Sequence, residues 1–327
     1  MTVADITNQE ALMRVFVTGA SGWIGSAVVP ELIAAGHQVT GLARSDDSAA
    51  ALAAAGALVR RGTIDDLDVI RDASAESEGV IHLAFKHDLA FSGNMQAAAG
   101  ADRRAVETIG ETLAGSGRAL VIASTFVPVP GRVATERDGL ASVPAGEGAS
   151  GESASGGPQA RAATAQFTLG LAASNVRSSI VRLPPTVHGE GDKWFMASLV
   201  SVARDKGVSA YIGDGSNRWP AVHRLDAARL FRLALENAPA GSVLHAVADQ
   251  GVPTRGIAEV IGRHLDVPVV SMSAQDAAGH FGFLAGVLAI DGPTSSALTR
   301  ELLGWDPVQP GLIDDLEKGH YFGDASR

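Results

Sequence analysis

Short β-branched and apolar blocks alternate along the chain with longer stretches of helical period. Arg14–Thr18 is a β-branched run. A Gly-rich turn follows, then an apolar-periodic stretch over Trp23–Ala35 that Gly36 ends. The alternation continues with a strand at Gln38–Ala43, an Ala-rich helix at Asp46–Ala55, a strand at Leu58–Arg61, a helix at Asp66–Ala75 and a strand at Gly79–Leu83. A helix over Met95–Leu113 leads to an apolar strand at Ala119–Ser124. Apolar strands alternating with helices predict βαβ units around a buried parallel sheet.

Beyond residue 130 the pattern changes. Residues 131–158 are rich in Gly, Ser, Ala and Glu without periodicity, and read as a long mobile loop. Helix resumes at Gln159–Ala173, followed by a strand at Ser179–Leu183. After Pro184-Pro185 come a helix at Trp194–Lys206, a short strand at Ser209–Ile212, a helix at Asp226–Glu236, a short strand near Leu244–Val247 and a helix at Thr254–Leu265. The remainder reads as short helices and turns. The expected organisation is a flexible extension over 1–12, a first domain over 13–183, and a smaller α+β part over 184–327 with some segments returning to the first sheet.

Composition narrows the function. At 46% hydrophobic residues the chain can bury a sizeable core, which excludes wholesale disorder. A net charge of −10 without a Lys/Arg run argues against nucleic acid as partner. The absence of Cys excludes disulfides and thiolate metal sites, and the nine His form no HxH or HxxxH pair, so no metal is expected. No apolar run reaches spanning length and no signal peptide opens the chain, so a cytoplasmic protein with no membrane partner is expected.

The first strand–turn–helix carries Gly19, Ser21, Gly22, Trp23, Ile24 and Gly25 in a GxxGxxG spacing. A strand that turns sharply into a helix aims free N–H groups at one point. Glycine removes the Cβ atoms that would keep a pyrophosphate away or force the helix off the strand. The pattern predicts dinucleotide binding on a Rossmann-type doubly wound parallel sheet. The second strand ends in Arg44-Ser45, where an NAD site usually presents an acid to the ribose 2′-OH. Arg44 and Ser45 offer donors to a 2′-phosphate instead, which points to NADP(H).

From Met13 to about Phe322 the chain resembles the extended short-chain dehydrogenase/reductases of the NAD(P)-dependent epimerase/dehydratase type. Thr18–Gly25 resembles their TGxxGxxG. Val80–Ala84 resembles the fourth-strand segment along the cofactor, which implies a role for Leu83 and Ala84. Val121–Thr125 resembles the fifth strand that ends in the catalytic Ser. Val181–Gly189 resembles the turn beside the nicotinamide, which implies Pro184, Val187 and His188. Gly213–Gly215 and Val222–Asp226 resemble a further pair of segments of that family. The resemblance also implies a homodimer paired through the helices at Met95–Leu113 and Gln159–Ala173.

The chain departs from that family at one point. Tyr occurs only at 211 and 321, followed four residues later by Gly215 and Ala325, so no Tyr-x-x-x-Lys pair exists. The corresponding slots fall near Gly157 and Arg161. The resemblance implies that Arg161 keeps the family lysine's contact to the nicotinamide ribose and its positive charge, but it cannot relay a proton near neutral pH. The remaining catalytic candidates are Ser124 and Thr125 at the end of the fifth strand, Lys86 and His87 in a loop after the fourth, and Arg161. Asp192-Lys193-Trp194 and Asn217-Arg218-Trp219 are candidate substrate contacts, with packed surface aromatics as the bland alternative. The expected function is an NADP(H)-dependent oxidoreductase of a small carbonyl-type substrate. A non-catalytic NADP(H) sensor or scaffold, or a redox-neutral epimerase, remain alternatives.

Overall fold

The computed structural model describes residues 12–139, 157–282 and 284–323. Most of the expected extension over 1–12, and residues 140–156 of the expected loop, lie outside the described residues. In chain order the first elements are β1 (Arg14–Thr18), α1 (Gly25–Ala34), β2 (Gln38–Ala43), α2 (Asp46–Ala54), β3 (Leu58–Arg61), α3 (Leu67–Ala75), β4 (Gly79–His82), α4 (His87–Phe91), α5 (Met95–Leu113), β5 (Ala119–Thr125), α6 (Gly157–Gly170) and β6 (Arg177–Leu183). Then follow β7 (Thr186–His188), α7 (Phe195–Lys206), β8 (Ser209–Ile212), β9 (Arg218–His223), α8 (Arg224–Asn237), β10 (Ser242–His245), β11 (Asp249–Pro253), α9 (Thr254–Leu265), β12 (Val269–Met272), α10 (Ala274–Phe281), α11 (Leu284–Leu288), α12 (Ala297–Leu303) and α13 (Leu312–Glu317).

The central sheet has seven strands in the order β10-β6-β5-β4-β1-β2-β3. Parallel pairing runs Val15↔Val39, Val15↔Gly79, Thr40↔Leu58 and Gly79↔Ala119. The strand order reverses direction between β1 and β4, as in a doubly wound fold. β4 is buried at every position and β5 over its first four, because helices cover both faces of such a sheet.

Two units divide the chain. The first comprises Met1–Ala123, Gly146–Ile180 and Phe231–Ser242; the second comprises Ser124–Ala145, Val181–Leu230 and Val243–Arg327. Within the first, Val28, Val29 and Leu32 of α1 are buried, and so are Ala98, Ala105 and Ile109 of α5. A buried polar network ties the second half of α8 to this unit. His37 Nδ1 accepts the Met13 amide at 3.2 Å, and its Nε2 faces Glu236 at 3.0 Å. Arg232 donates to Glu236 at 2.7 Å and to Glu31 of α1 at 2.8 Å. With Nδ1 accepting, Nε2 carries the proton and donates to Glu236.

The second unit packs α7, α9 and α13 around Trp219, which is 1% exposed, with Leu199, Ile257, Phe281 and Leu316 in the same cluster. Two small sheets complete it, β11-β9-β7 and β12-β8.

Four sequence expectations change here. Asn217-Arg218-Trp219 is no substrate-facing surface: Trp219 is core, donating through Nε1 to Val287 O at 3.2 Å, and Arg218 pairs with Asp291 at 2.9 Å. Val269–Met272 is a strand, not helix or turn, because it pairs in register with β8, Val269↔Ser209. The loop proposed for Lys86-His87 is the start of α4. Residues 131–139 are tied to the second unit by hydrogen bonds. Ala134 bridges Thr294, the Glu136 carboxylate accepts the Thr299 N–H and hydroxyl at 2.8 and 2.7 Å, and Arg182 donates to Asp138 O at 2.6 Å.

Glu236→Ala would leave His37 and Arg232 without their shared buried carboxylate. It should cost about 3 kcal/mol of unfolding free energy in urea titration, as for other broken buried pairs. A loss below the exposed-pair range would show the network to be incidental.

Candidate functional site

The turn between β1 and α1 is defined by steric exclusion. Gly19 has a φ of +65°, and a Cβ there would stand 2.7 Å from the Ala84 amide nitrogen and 2.8 Å from the Leu83 carbonyl carbon. The turn therefore packs backbone against backbone on the segment leaving β4. At Gly25 a Cβ would run into the Gly19 oxygen and lie 2.7 Å from the Ala20 oxygen. Gly22 closes the turn through its N–H to Gly19 O at 2.9 Å. Ser21 is exposed; Trp23 and Ile24 are half-buried. No side chain caps the start of α1 and its first turn holds no acid, so the positive end of the helix dipole is open to an anion.

Beneath the turn runs a buried polar chain that sequence reasoning missed. Thr18 Oγ1 lies 2.9 Å from His82 Nδ1 and accepts the Ala84 N–H at 3.3 Å. His82 Nε2 lies 3.2 Å from the Asp102 carboxylate. One assignment satisfies every group: Ala84 N–H donates to Thr18, Thr18 O–H to Nδ1, and Nε2–H to Asp102. The sequence held a signal. Asp102 interrupts the stripe Ala98, Ala105, Ile109 on α5, and a carboxylate at a core position needs a partner.

Next to Ala84 stands Phe85. The Arg161 guanidinium of α6 lies 4.2 Å above its ring and donates through Nη2 to Ala123 O at 3.2 Å. Arg161 Nε is shielded from solvent without a hydrogen-bond partner. The His87 ring meets Phe85 edge-on at 5.1 Å. Burial, and then the Arg161 charge, lower the His87 pKa, so at neutral pH His87 is a neutral imidazole and not a stored proton. Lys86 is engaged by Asp65. Arg44 is exposed and faces Asp88 at 3.6 Å. Ser45 caps α2, accepting from the Ser48 amide at 3.2 Å.

In the second unit, Ser124 is buried and Thr125 exposed at the end of β5. Pro184 is buried and Val187 half-buried. His188 is fully buried, with Nδ1 2.9 Å from Asp315 of α13. Tyr321 accepts the Gly189 N–H at 3.1 Å and lies 3.3 Å from Asp192, so Asp192 is tied to the C-terminal segment. Burial, and then the Asp192 charge, push the Tyr321 phenol above its usual range. Burial also raises the Asp192 carboxyl. The His223 ring lies 5.4 Å from that of His188; burial, then His188, lower its pKa to about 4. Among the described residues no His/Asp/Glu group is arranged to hold a metal ion, and no helix is long and apolar enough to cross a membrane.

His223 is thus neutral when folded, with an ordinary value of 6.5. Between about pH 6.5 and 4 the unfolded chain takes up more protons at this residue than the folded one, so stability present above 6.5 is lost as pH falls. The unfolding free energy should decline through this window, and His223→Asn should flatten the decline. Equal pH slopes in the two proteins would contradict the assignment.

Residues 15–247 match the NAD dependent epimerase/dehydratase family. Over 312 residues the chain is 48% identical to Uncharacterized protein C2A9.02 of Schizosaccharomyces pombe, covering 95% of this chain and 100% of that one. It is 25% identical over 288 residues to the 4-hydroxy-2-methyl-3-oxo-4-farnesyl-3,4-dihydroquinoline-1-oxide ketoreductase of Stigmatella aurantiaca, covering 83% and 80% of the two chains. The crystal structure of DesIV, a dTDP-glucose 4,6-dehydratase from Streptomyces venezuelae with NAD and TYD bound, shares the fold. Its TM-score is 0.69 at 20% identity, over 94% of this chain and 96% of that one. From the Gly19 turn to the order of its sheet, this chain belongs to the NAD dependent epimerase/dehydratase family.

Proposed function

We propose that the chain is an NADP(H)-dependent oxidoreductase acting on a small organic carbonyl-type substrate. The observation that carries this reading is the cradle at Gly19–Gly25. There Gly19 packs against Leu83–Ala84 and Gly25 against Gly19 and Ala20, where a Cβ would clash, and the helix start that they set has no side-chain cap and no acid in its first turn. These residues fit a pyrophosphate. NAD is bound in DesIV, and the Stigmatella relative is named a ketoreductase, which supports a nicotinamide dinucleotide and redox chemistry here.

Gly19, Ser21, Gly22, Trp23, Ile24 and Gly25 would hold the pyrophosphate, with Leu83 and Ala84 behind it. Pro184, Val187 and His188 are carried over from the family resemblance as the turn beside the nicotinamide. Arg44 and Ser45 favour the phosphorylated dinucleotide. Arg44 is held only by an exposed pair with Asp88, which contributes little and gives way readily to a phosphate. Asp46, the next acid along the chain, is engaged by Arg61. When bound, the dinucleotide exchanges hydride with the substrate.

Around it the chain works by orientation and fixed charge. The hydroxyls of Ser124 and Thr125 hold the carbonyl. No tyrosine of the chain takes the family's acid position, Lys86 is held in an ion pair with Asp65, and His87 is kept neutral, so water is taken as the net proton source. The missing Tyr-x-x-x-Lys pair also favours a second reading, a dinucleotide-binding sensor without turnover. Steady NADPH consumption with a panel of carbonyl compounds supports the enzyme; tight binding without consumption supports the sensor.

Arg44→Ala should weaken NADPH binding about tenfold, the lower end for a charge-assisted contact because the site is exposed, and leave NADH binding unchanged. Calorimetric titration with both dinucleotides decides this. Equal losses would remove Arg44 from cofactor choice.

A further inference from the structure

Among the described residues Arg161 is a cation without an ion pair. Among the described residues no carboxylate lies within ion-pair distance of it; Asp102 acts on it only through space and is engaged by His82. Its guanidinium is flanked by the Phe85 ring and tied by one nitrogen to Ala123 O, while Nε finds no acceptor. A partly buried charge left in this state is costly, because burial removes water and no counter-charge replaces it. The neighbouring His87, kept neutral, adds no second positive charge beside it, and Lys86 is turned to Asp65.

The cation is also placed relative to the turn. Gly19 abuts Ala84, Phe85 is the next residue, and Arg161 rests on Phe85. A fixed positive charge thus stands at the carboxyl ends of β4 and β5, on the sheet edge where the glycine turn opens.

We propose that Arg161 forms an oxyanion site, and that the substrate is a conjugated carbonyl compound, an enone or quinone, whose oxygen takes up negative charge during reduction. This deepens the oxidoreductase reading above and rests on it. When such a compound accepts a hydride from the reduced dinucleotide, a C–H bond forms on carbon and the π electron pair moves onto oxygen. The proton that later neutralises that oxygen comes from water. An isolated ketone leaves a strongly basic alkoxide that demands a proton donor in the same step. A conjugated one leaves a delocalised enolate or phenolate that a guanidinium can hold. Arg161 suits the second and not the first, because a guanidinium, even with its pKa lowered by burial, stays charged near neutral pH and gives up no proton.

The test uses the full chain and 4-nitrophenol, whose ionised form is read by its absorbance. Wild-type protein, with and without oxidised dinucleotide, should bind the phenolate in preference to the phenol. Arg161→Gln should lose about ten- to a hundredfold of that preference, the range of a charge-assisted hydrogen bond, with dinucleotide affinity unchanged. Arg161→Lys, which keeps the charge, should retain most of it. Wild type binding phenol and phenolate equally would overturn the proposal, as would Arg161→Gln keeping the full preference. Parallel loss of dinucleotide affinity in Arg161→Gln would also overturn it, by making Arg161 a cofactor contact. Absence of dinucleotide binding in the wild type would sink the oxidoreductase reading alone, since the phenolate titration of the free chain stands by itself.

Discussion

The architecture of the first unit depends on one close approach, that of Gly19 to the backbone of Leu83 and Ala84. No side chain fits between them. The approach fixes where β1 ends and where the chain leaving β4 must run. It also sets the start of α1, where Gly22 O accepts the Ser26 N–H at 2.8 Å and no side chain caps the helix. The Thr18–His82–Asp102 chain supports the same contact from below, because the Ala84 amide beside Gly19 is one of its donors. An imidazole spent in this way is structural. Its two nitrogens are both committed, one as acceptor and one as donor.

Charge is handled differently at each buried position. Glu236 is shared by His37 and Arg232, Asp315 is met by His188, and Asp226 accepts the amides of Val308 and Gln309 at 3.0 Å each. Each of these carboxylates is paired or hydrogen-bonded within the chain and joins distant segments. Among the described residues Arg161 faces no carboxylate at ion-pair distance, and its Nε has no hydrogen-bond partner.

The central sheet was legible because its strands are apolar throughout and each is followed by a helical period. The strands of the first unit fall within a residue or two of their sequence-expected ends. The glycine turn was legible because steric exclusion leaves no alternative residue. The small strands β7, β9, β11 and β12 were not. They span six residues or fewer, and pairings such as Thr186↔Ala221 or Val269↔Ser209 join segments with no local mark of one another. Trp219 illustrates the cost: an aromatic between Arg and Pro reads as surface, and only the packing of α7 and α9 buries it. The partners of His82 and Arg161 were equally hidden, since each depends on contacts across 20 residues or more.

The central claim is that the Gly19–Gly25 turn is a dinucleotide cradle. The most direct measurement is calorimetric titration of NADPH into Gly25→Ala, a substitution whose Cβ lands on the oxygens of Gly19 and Ala20. Circular dichroism and melting establish that the variant is folded. The account predicts a folded protein that no longer binds NADPH, while the wild type binds it. A folded Gly25→Ala that binds NADPH with wild-type affinity would contradict it.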